Sequence, residues 1–401
     1  MKNLLFVDDE PRVLQGLQRQ LRVMREEWQM DFVESGPKAL EFLATSPVDV
    51  LVTDMMVPGM DGAQLLTEVM KRHPDTVRLV LSGHADREAV LRLVGPVHQY
   101  LSKPCNAEEL RTAIARALAM RDLLASEPLN QLASRIDSLP SLPSSHAQLT
   151  AELRKPEPSV ERVADIISRD IGMTTKILQL VNSAFFGLSQ PASNVVEAVM
   201  YLGLATIRAL VLSTQVFSQF DQETIKAFSI DGIAQHCWMT GVIARRIAEI
   251  EQRDPKISDQ CFLAGLLHDL GYLILAAGLP EQYTHVLQAA RESNRPVWEV
   301  EQTELSASHA EVGAYLLGLW GLLTPVVEAV ALHHRPAAAT CQGFSPVIAV
   351  HVADVFAHSL APTLPEQVGV EIDVPYLATL GLDGRLEEWR ERCILDQATC
   401  G

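Results

Sequence analysis

Apolar residues in the first hundred positions gather into short continuous runs, each ending abruptly in polar residues. Leu4-Leu5-Phe6-Val7 ends in Asp8-Asp9-Glu10, and Val48-Asp49-Val50-Leu51-Val52-Thr53 ends in Asp54. Arg78-Leu79-Val80-Leu81 ends in Ser82-Gly83, and Gln99-Tyr100-Leu101 leads into Ser102-Lys103-Pro104. Runs of this length bounded by Pro and Gly turns read as strands buried on both faces, and helical patterns separate them. If the strands run parallel, Asp8, Asp9, Asp54, Ser82 and Lys103 meet on one rim, where an open α/β sheet binds ligands.

Beyond residue 125 the pattern changes. Ser138-Leu139-Pro140-Ser141-Leu142-Pro143-Ser144-Ser145 excludes regular helix and marks a boundary or a strap on the next domain. Helix then follows helix, with a start signal at Ser159 before Val160–Arg169, so the second domain is expected to be all-α. Asn106 is placed to cap a helix over 106–125 whose stripe Leu110, Ile114, Ala117 and Leu118 faces the sheet. The tail reads as one or two terminal helices anchored by Trp389.

Composition narrows the function. A chain of 401 residues exceeds one hydrophobic core, and 48% hydrophobic with 21% charged residues is ordinary globular material. A net charge of −17 without a basic cluster argues against direct DNA binding. No stretch of ~20 uninterrupted apolar residues and no leader pattern are visible, so a cytoplasmic protein without a membrane span is expected. Six cysteines, at 105, 237, 261, 341, 393 and 400, have no metal or disulfide spacing and read as reduced thiols.

The rim residues suit phosphoryl chemistry. Clustered carboxylates form a hard oxygen pocket for Mg²⁺, one of them can act as nucleophile towards phosphorus, and a lysine offsets the charge of the transferring group. Taken with Thr53-Asp54-Met55-Met56-Val57-Pro58-Gly59-Met60-Asp61-Gly62, these motifs make residues 1–125 resemble the receiver domain of two-component response regulators. The resemblance implies a doubly wound, five-stranded, flavodoxin-like parallel sheet in which Asp54 accepts phosphate from a histidine kinase. It also implies that Asp8 and Asp9 hold Mg²⁺ with Asp54 and the Met55 carbonyl, that Ser82 and Lys103 contact the phosphoryl group, and that Tyr100 is an aromatic switch. His84 is assigned no role.

A second resemblance covers residues 138–401, after a linker or helix extension at 126–137. Ser138 to Pro143, Ile166 to Ala184, Ala198-Val199-Met200-Tyr201-Leu202-Gly203 and Ala264-Gly265-Leu266-Leu267-His268-Asp269-Leu270-Gly271 resemble HDOD domains, helical signalling modules of the HD superfamily related to the HD-GYP phosphodiesterases. Matching that superfamily's ligands residue by residue gives His236, His268, Asp269, His309, His333, His334 and Asp354, a set suited to a pair of Fe, Mn or Zn ions. Three departures count against catalysis. Tyr272 replaces the lysine expected after the His-Asp pair, Arg335-Pro336-Ala337-Ala338 replaces the acidic and Gly-Tyr-Pro sequence, and Gly232 stands where a glutamate ligand is expected. His351 and His358 read as satisfied helix-face groups, and His73, His98, His146 and His285 as surface residues. The expectation is a bacterial response regulator in which phosphorylation of Asp54 controls an HDOD interaction module acting on another protein or a nucleotide, with phosphorylation-dependent homodimerisation one route. The alternative is a receiver-gated phosphohydrolase or cyclic dinucleotide phosphodiesterase.

Overall fold

The computed structural model describes residues 1–82, 97–103, 105–123, 139–182, 192–212, 222–340, 343–360 and 371–395, with isolated positions between them. The expectations for His84, for most of the 126–137 linker, and for Cys341 and Cys400 lie outside the described residues. The chain forms two compact units, one containing Met1–Ser138 and the other containing Leu139–Leu178, Ala192–Ala314 and Leu322–Gly401.

In the first unit, strands β1 (Lys2–Val7), β2 (Trp28–Val33), β3 (Val50–Asp54), β4 (Val77–Ser82) and β5 (Gln99–Ser102) form one parallel sheet in the order β2-β1-β3-β4-β5. Leu4 to Val7 and Val50 to Val52 are buried on both faces, which is why their sequences are continuously apolar. β2 is an edge strand: only Trp28 is buried, and Gln29 and Asp31 interrupt its apolar residues, so it gave no clear run. Described helices α1 (Pro11–Gln20), α2 (Gly36–Thr45), α3 (Gly62–Arg72) and α4 (Ala107–Leu123) accompany the sheet. Asp61 and Gln64 form a reciprocal capping box on α3. Asn106 Oδ1 accepts the Glu109 N–H at 2.8 Å, and Leu110, Ile114, Ala117 and Leu118 are buried, as their spacing predicts.

One histidine departs from expectation. His98 is buried rather than exposed: its Nδ1 accepts the Arg78 N–H at 3.1 Å and its Nε2 lies 2.8 Å from the Arg78 guanidinium. A lone polar residue before a short strand carries no periodicity to reveal that burial.

The helices Pro143–Leu153 to Leu386–Leu395 make up most of the described residues of the second unit. The helix Pro143–Leu153 starts inside the serine-proline stretch, with Pro143 in the first turn where its missing N–H costs nothing, so the irregular strap is shorter than expected. Asp170 ties the strap down, its two oxygens accepting the N–H groups of Leu142 at 2.8 Å and Met173 at 2.9 Å. Ser159 caps Val160–Ser168 through the Arg162 N–H. Trp389 is fully buried and donates its indole N–H to Glu251 at 3.0 Å. Cys237, Cys261 and Cys393 are buried and Cys105 is half-buried. The stretch Pro255–Gly278 is long and apolar enough to cross a membrane by length and composition, but most of it is buried inside the bundle.

Two glycine contacts bring two pairs of helices to backbone distance. A Cβ on Gly265 would lie 2.7 Å from Gly241 Cα, which locks Pro255–Leu267 against Ile230–Ile250. A Cβ on Gly271 would lie 1.9 Å from the His309 carbonyl oxygen, so Leu270–Gly278 meets the start of His309–Leu319 with no room for a side chain. Gly271→Ala must therefore push backbone apart, and a loss of about 1–3 kcal/mol or more is expected in chemical denaturation. Gly384→Ala, where a Cβ meets nothing within 4 Å, is the matched control and should be near neutral.

Candidate functional sites

The carboxyl ends of β1 and β3 carry the first site. Val7 pairs with Thr53 in register, so the next residues, Asp8 and Asp54, stand side by side at the point where the strand order reverses. Lys103 Nζ lies 2.7 Å from Asp8 Oδ2 and 2.8 Å from Asp54 Oδ1, bridging the two carboxylates. Burial works against the Lys103 charge, but hydrogen bonds to Asp54 and Asp8 outweigh it and raise its pKa. Asp54 Oδ2 accepts the Met56 N–H at 3.2 Å, and Asp8 Oδ1 accepts the Glu10 N–H at 2.9 Å.

The remaining receiver residues fall nearby. Asp9 is exposed beside Asp8, and the Met55 carbonyl accepts the Gly62 N–H at 2.9 Å. Gly62 is required there, because a Cβ would lie 2.6 Å from the Asp54 carbonyl oxygen. Ser82 ends β4 opposite Ser102, next to Lys103, and Tyr100 is buried in β5. Asp8, Asp9, Asp54 and a backbone carbonyl are all hard oxygen donors, the set that suits Mg²⁺.

The second site lies inside the helical unit. All seven expected ligands, carried on five helices or their ends, converge there; His236, His268, Asp269, His309, His333 and Asp354 are buried and His334 is half-buried. Asp269 faces both ways. Its Oδ2 lies 3.3 Å from His268 Nε2, and its Oδ1 lies 3.2 Å from His309 Nε2 and 3.8 Å from His333 Nε2. On the Oδ2 side Asp354 Oδ1 meets His236 Nε2 at 2.9 Å and His268 Nε2 at 3.6 Å; on the Oδ1 side His334 Nε2 lies 3.0 Å from His309 Nε2.

Protons cannot satisfy this arrangement if the imidazoles are neutral. His268 Nδ1 lies 2.7 Å from the Gly265 carbonyl oxygen, His309 Nδ1 2.7 Å from Glu301 Oε2 and His333 Nδ1 2.8 Å from the Val330 carbonyl oxygen. Acceptor-only partners require Nδ1 to be the donor, which leaves each neutral Nε2 a bare lone pair. Those lone pairs point at Asp269, neither of whose oxygens receives a hydrogen bond; His268 Nε2 and His333 Nε2 have no partner either. Only a cation between them resolves the contact: a proton on Nε2 or a metal ion. Ligand atoms each ~2.1 Å from one ion sit about 3.4 Å apart at the tetrahedral angle, close to the separations here.

Electrostatics divides the imidazoles. Burial lowers the His333 pKa to about 3, helped by the neighbouring His268, and holds His334 well below its usual value. Neutral imidazole is the metal-ligating form. Burial opposes the Asp269 charge, but His268 and His309 overcome it and keep the carboxyl ionised.

Sequence reasoning missed two residues. Glu301 is fully buried and accepts from the His309 N–H and Nδ1, both at 2.7 Å, and from the Tyr283 hydroxyl at 2.7 Å. It fixes the orientation of His309 as carboxylates behind metal-bound histidines do. His358 is not a satisfied helix-face group: its Nε2 is buried without a hydrogen-bond partner, 3.2 Å from Asp354 Oδ1. His351 does fulfil that expectation, with Nδ1 2.7 Å from the His333 carbonyl oxygen and Nε2 accepting the Asp373 N–H. Tyr272 is a core residue, edge-on to Tyr283 with centroids 5.0 Å apart, and brings no cation to the site.

A receiver at the amino end and a histidine-rich bundle after it define a two-part signalling protein. Residues 4–115 match the response regulator receiver domain and residues 139–336 match the HDOD domain, so the chain is a response regulator of the receiver–HDOD type. An uncharacterized protein of Treponema pallidum (strain Nichols) is 29% identical over 235 residues, which is 57% of this chain and 44% of that protein. The hydrogenase transcriptional regulatory protein HoxA of Cupriavidus necator is 34% identical over 122 residues, 30% of this chain and 25% of that protein. The chain thus spans less than half the length of these curated relatives. Among solved structures, the MmoQ response regulator of Methylococcus capsulatus is 24% identical, with 63% of this chain and 98% of that one covered and a TM-score of 0.49.

Truncating Glu301 leaves three buried donors, the Tyr283 hydroxyl, His309 Nδ1–H and the His309 backbone N–H, without their acceptor. Glu301→Ala is expected to lose several kcal/mol at about 1–3 per orphaned group, and Tyr283→Phe only about 0.5–1.5, in urea titrations. Equal losses from the two variants would contradict this placement of Glu301.

Proposed function

We propose that the protein accepts a phosphoryl group on Asp54 from a histidine kinase and that this modification controls the HDOD unit. The observation that carries the reading is the Asp8–Lys103–Asp54 bridge at the sheet's switch point. In the transfer, an Asp54 carboxylate oxygen forms a bond to phosphorus as the P–N bond of the donor phosphohistidine breaks. Lys103 is placed to move from the carboxylate to the incoming phosphoryl oxygens, and the Met56 N–H to follow the other side. Mg²⁺, held by Asp8, Asp9, Asp54 and the Met55 carbonyl, would neutralise charge on the transferring group. Two negative charges arriving beside Lys103 would bias Tyr100 and the start of α4, which follow in the chain on either side of it.

The buried cluster supports a second reading, that the HDOD unit holds metal and hydrolyses a phosphodiester such as a cyclic dinucleotide. Asp269, His236, His268 and Asp354 would hold one ion, and Asp269, His309, His333 and His334 another, supplying an activated water. Tyr272 in place of a cationic residue argues against efficient turnover, and a metal-stabilised interaction module remains the favoured output.

With acetyl phosphate and Mg²⁺, the wild type is expected to gain one phosphoryl group by intact mass, and Asp54→Ala none. An unchanged gain in Asp54→Ala overturns the first reading. Hydrolysis of a cyclic dinucleotide that disappears in Asp269→Ala would establish the second.

A further inference from the structure

One more imidazole stands against the buried carboxylates than the superfamily's ligand set contains. His358 lies four residues after Asp354 on the helix Pro346–Leu360, so both leave the same helix face. Its Nε2 is 3.2 Å from Asp354 Oδ1, the oxygen that also meets His236 Nε2 at 2.9 Å and His268 Nε2 at 3.6 Å. The His358 ring stacks on His236, centroids 4.1 Å apart and planes 24° from parallel, and the Nε2 atoms of both rings lie against Asp354 Oδ1. Three ring nitrogens, on His236, His268 and His358, therefore lie within 3.6 Å of one carboxylate oxygen, and the other nitrogen of His268 faces the Gly265 carbonyl. A cation shared among these atoms accounts for the crowding better than three competing donors do.

We propose that His358 is a ligand of the metal ion held at Asp354, an inference that rests on the metal-binding reading above. That centre then has His236, His268 and His358 with Asp354 and one oxygen of Asp269. The neighbouring centre has His309, His333 and His334 with the other oxygen of Asp269, and it reaches the half-buried His334 at its outer end. The two centres are thus unequal. The first is closed by five protein groups and binds its ion more tightly; the second keeps a position for water or an anion, the usual distinction between structural and open sites. The nitrogen-rich donor set favours Fe or Zn over Mg.

The test is a Co²⁺ titration of the full-length, chelator-stripped protein, with excess Mg²⁺ present to fill the receiver. Visible absorption reports coordination, and equilibrium dialysis reports affinity. The wild type is expected to take up two Co²⁺ in two affinity classes. His358→Ala should weaken the tighter class by about tenfold or more, on the scale of lost metal-site groups, and change the spectrum of the first equivalent. His334→Ala should weaken only the other class. His358→Gln, which keeps a polar side chain, is read the same way if the alanine variant does not fold. Wild-type affinity and spectrum in the folded His358 variant overturn the inference while leaving the metal reading intact. Absence of Co²⁺ uptake by the wild type overturns both, and leaves phosphorylation of Asp54 untouched.

Discussion

An ionised carboxylate at 1% exposure, as Asp269 is, survives only where positive charge reaches it, because taking such a group out of water costs several kcal/mol even after relaxation. Here the nearest groups on both sides are imidazole nitrogens whose other nitrogens face acceptors. The helical unit is organised around that constraint. Asp269 stands at the break between Pro255–Leu267 and Leu270–Gly278, flanked by the two glycine contacts that allow helices to close to backbone distance. Gly265 against Gly241 aligns His268 with His236. Gly271 against the His309 carbonyl brings Asp269 to His309. Without either contact the imidazoles could not surround the carboxylate, and its burial would have no compensation.

The receiver handles its carboxylates in the opposite way. Asp8 and Asp54 lie side by side with Asp9 open to solvent, and one partly exposed cation, Lys103, spans both. A partly exposed lysine can change partners at little cost, whereas the buried cluster has no flexible charge to move. The first arrangement suits a reversible covalent modification. The second suits a fixed occupant. That contrast is why the reacting residue is sought at Asp54 and the structural or hydrolytic ion at Asp269.

The residues that were legible in sequence sit where a pattern ends. Asp8, Asp54 and Lys103 each follow an apolar strand, and a change from continuous apolar to polar marks a sheet edge whatever the tertiary context. The His268-Asp269 pair was legible through the resemblance of Ala264 to Gly271 to HDOD domains. Residues embedded in other patterns were not. β2 alternates as edge strands do, and Glu301 lies in Glu299-Val300-Glu301-Gln302-Thr303-Glu304, which reads as a solvated helix face although Glu301 is fully buried. His98 and His358 were misplaced for a related reason. A single histidine has no period, and its burial is decided by helices or strands distant in sequence.

Glu301 also bears on what the bundle retains. A module that had kept only the packing of its ancestors would gain stability by replacing a buried ion with an apolar side chain, since such replacements are often neutral or favourable. Glu301 instead spends its two oxygens on the Tyr283 hydroxyl and on both the backbone and ring N–H groups of His309. Nothing about core packing requires a carboxylate to orient a ring. Orientation matters when the far nitrogen of that ring has something to hold, and His309 Nε2 points at Asp269 Oδ1. A weak catalytic signature and intact support for the imidazoles are therefore compatible: turnover would need the cation that the family resemblance expects where Tyr272 stands, whereas holding an ion would need only the buried shell that Glu301 and Tyr283 complete.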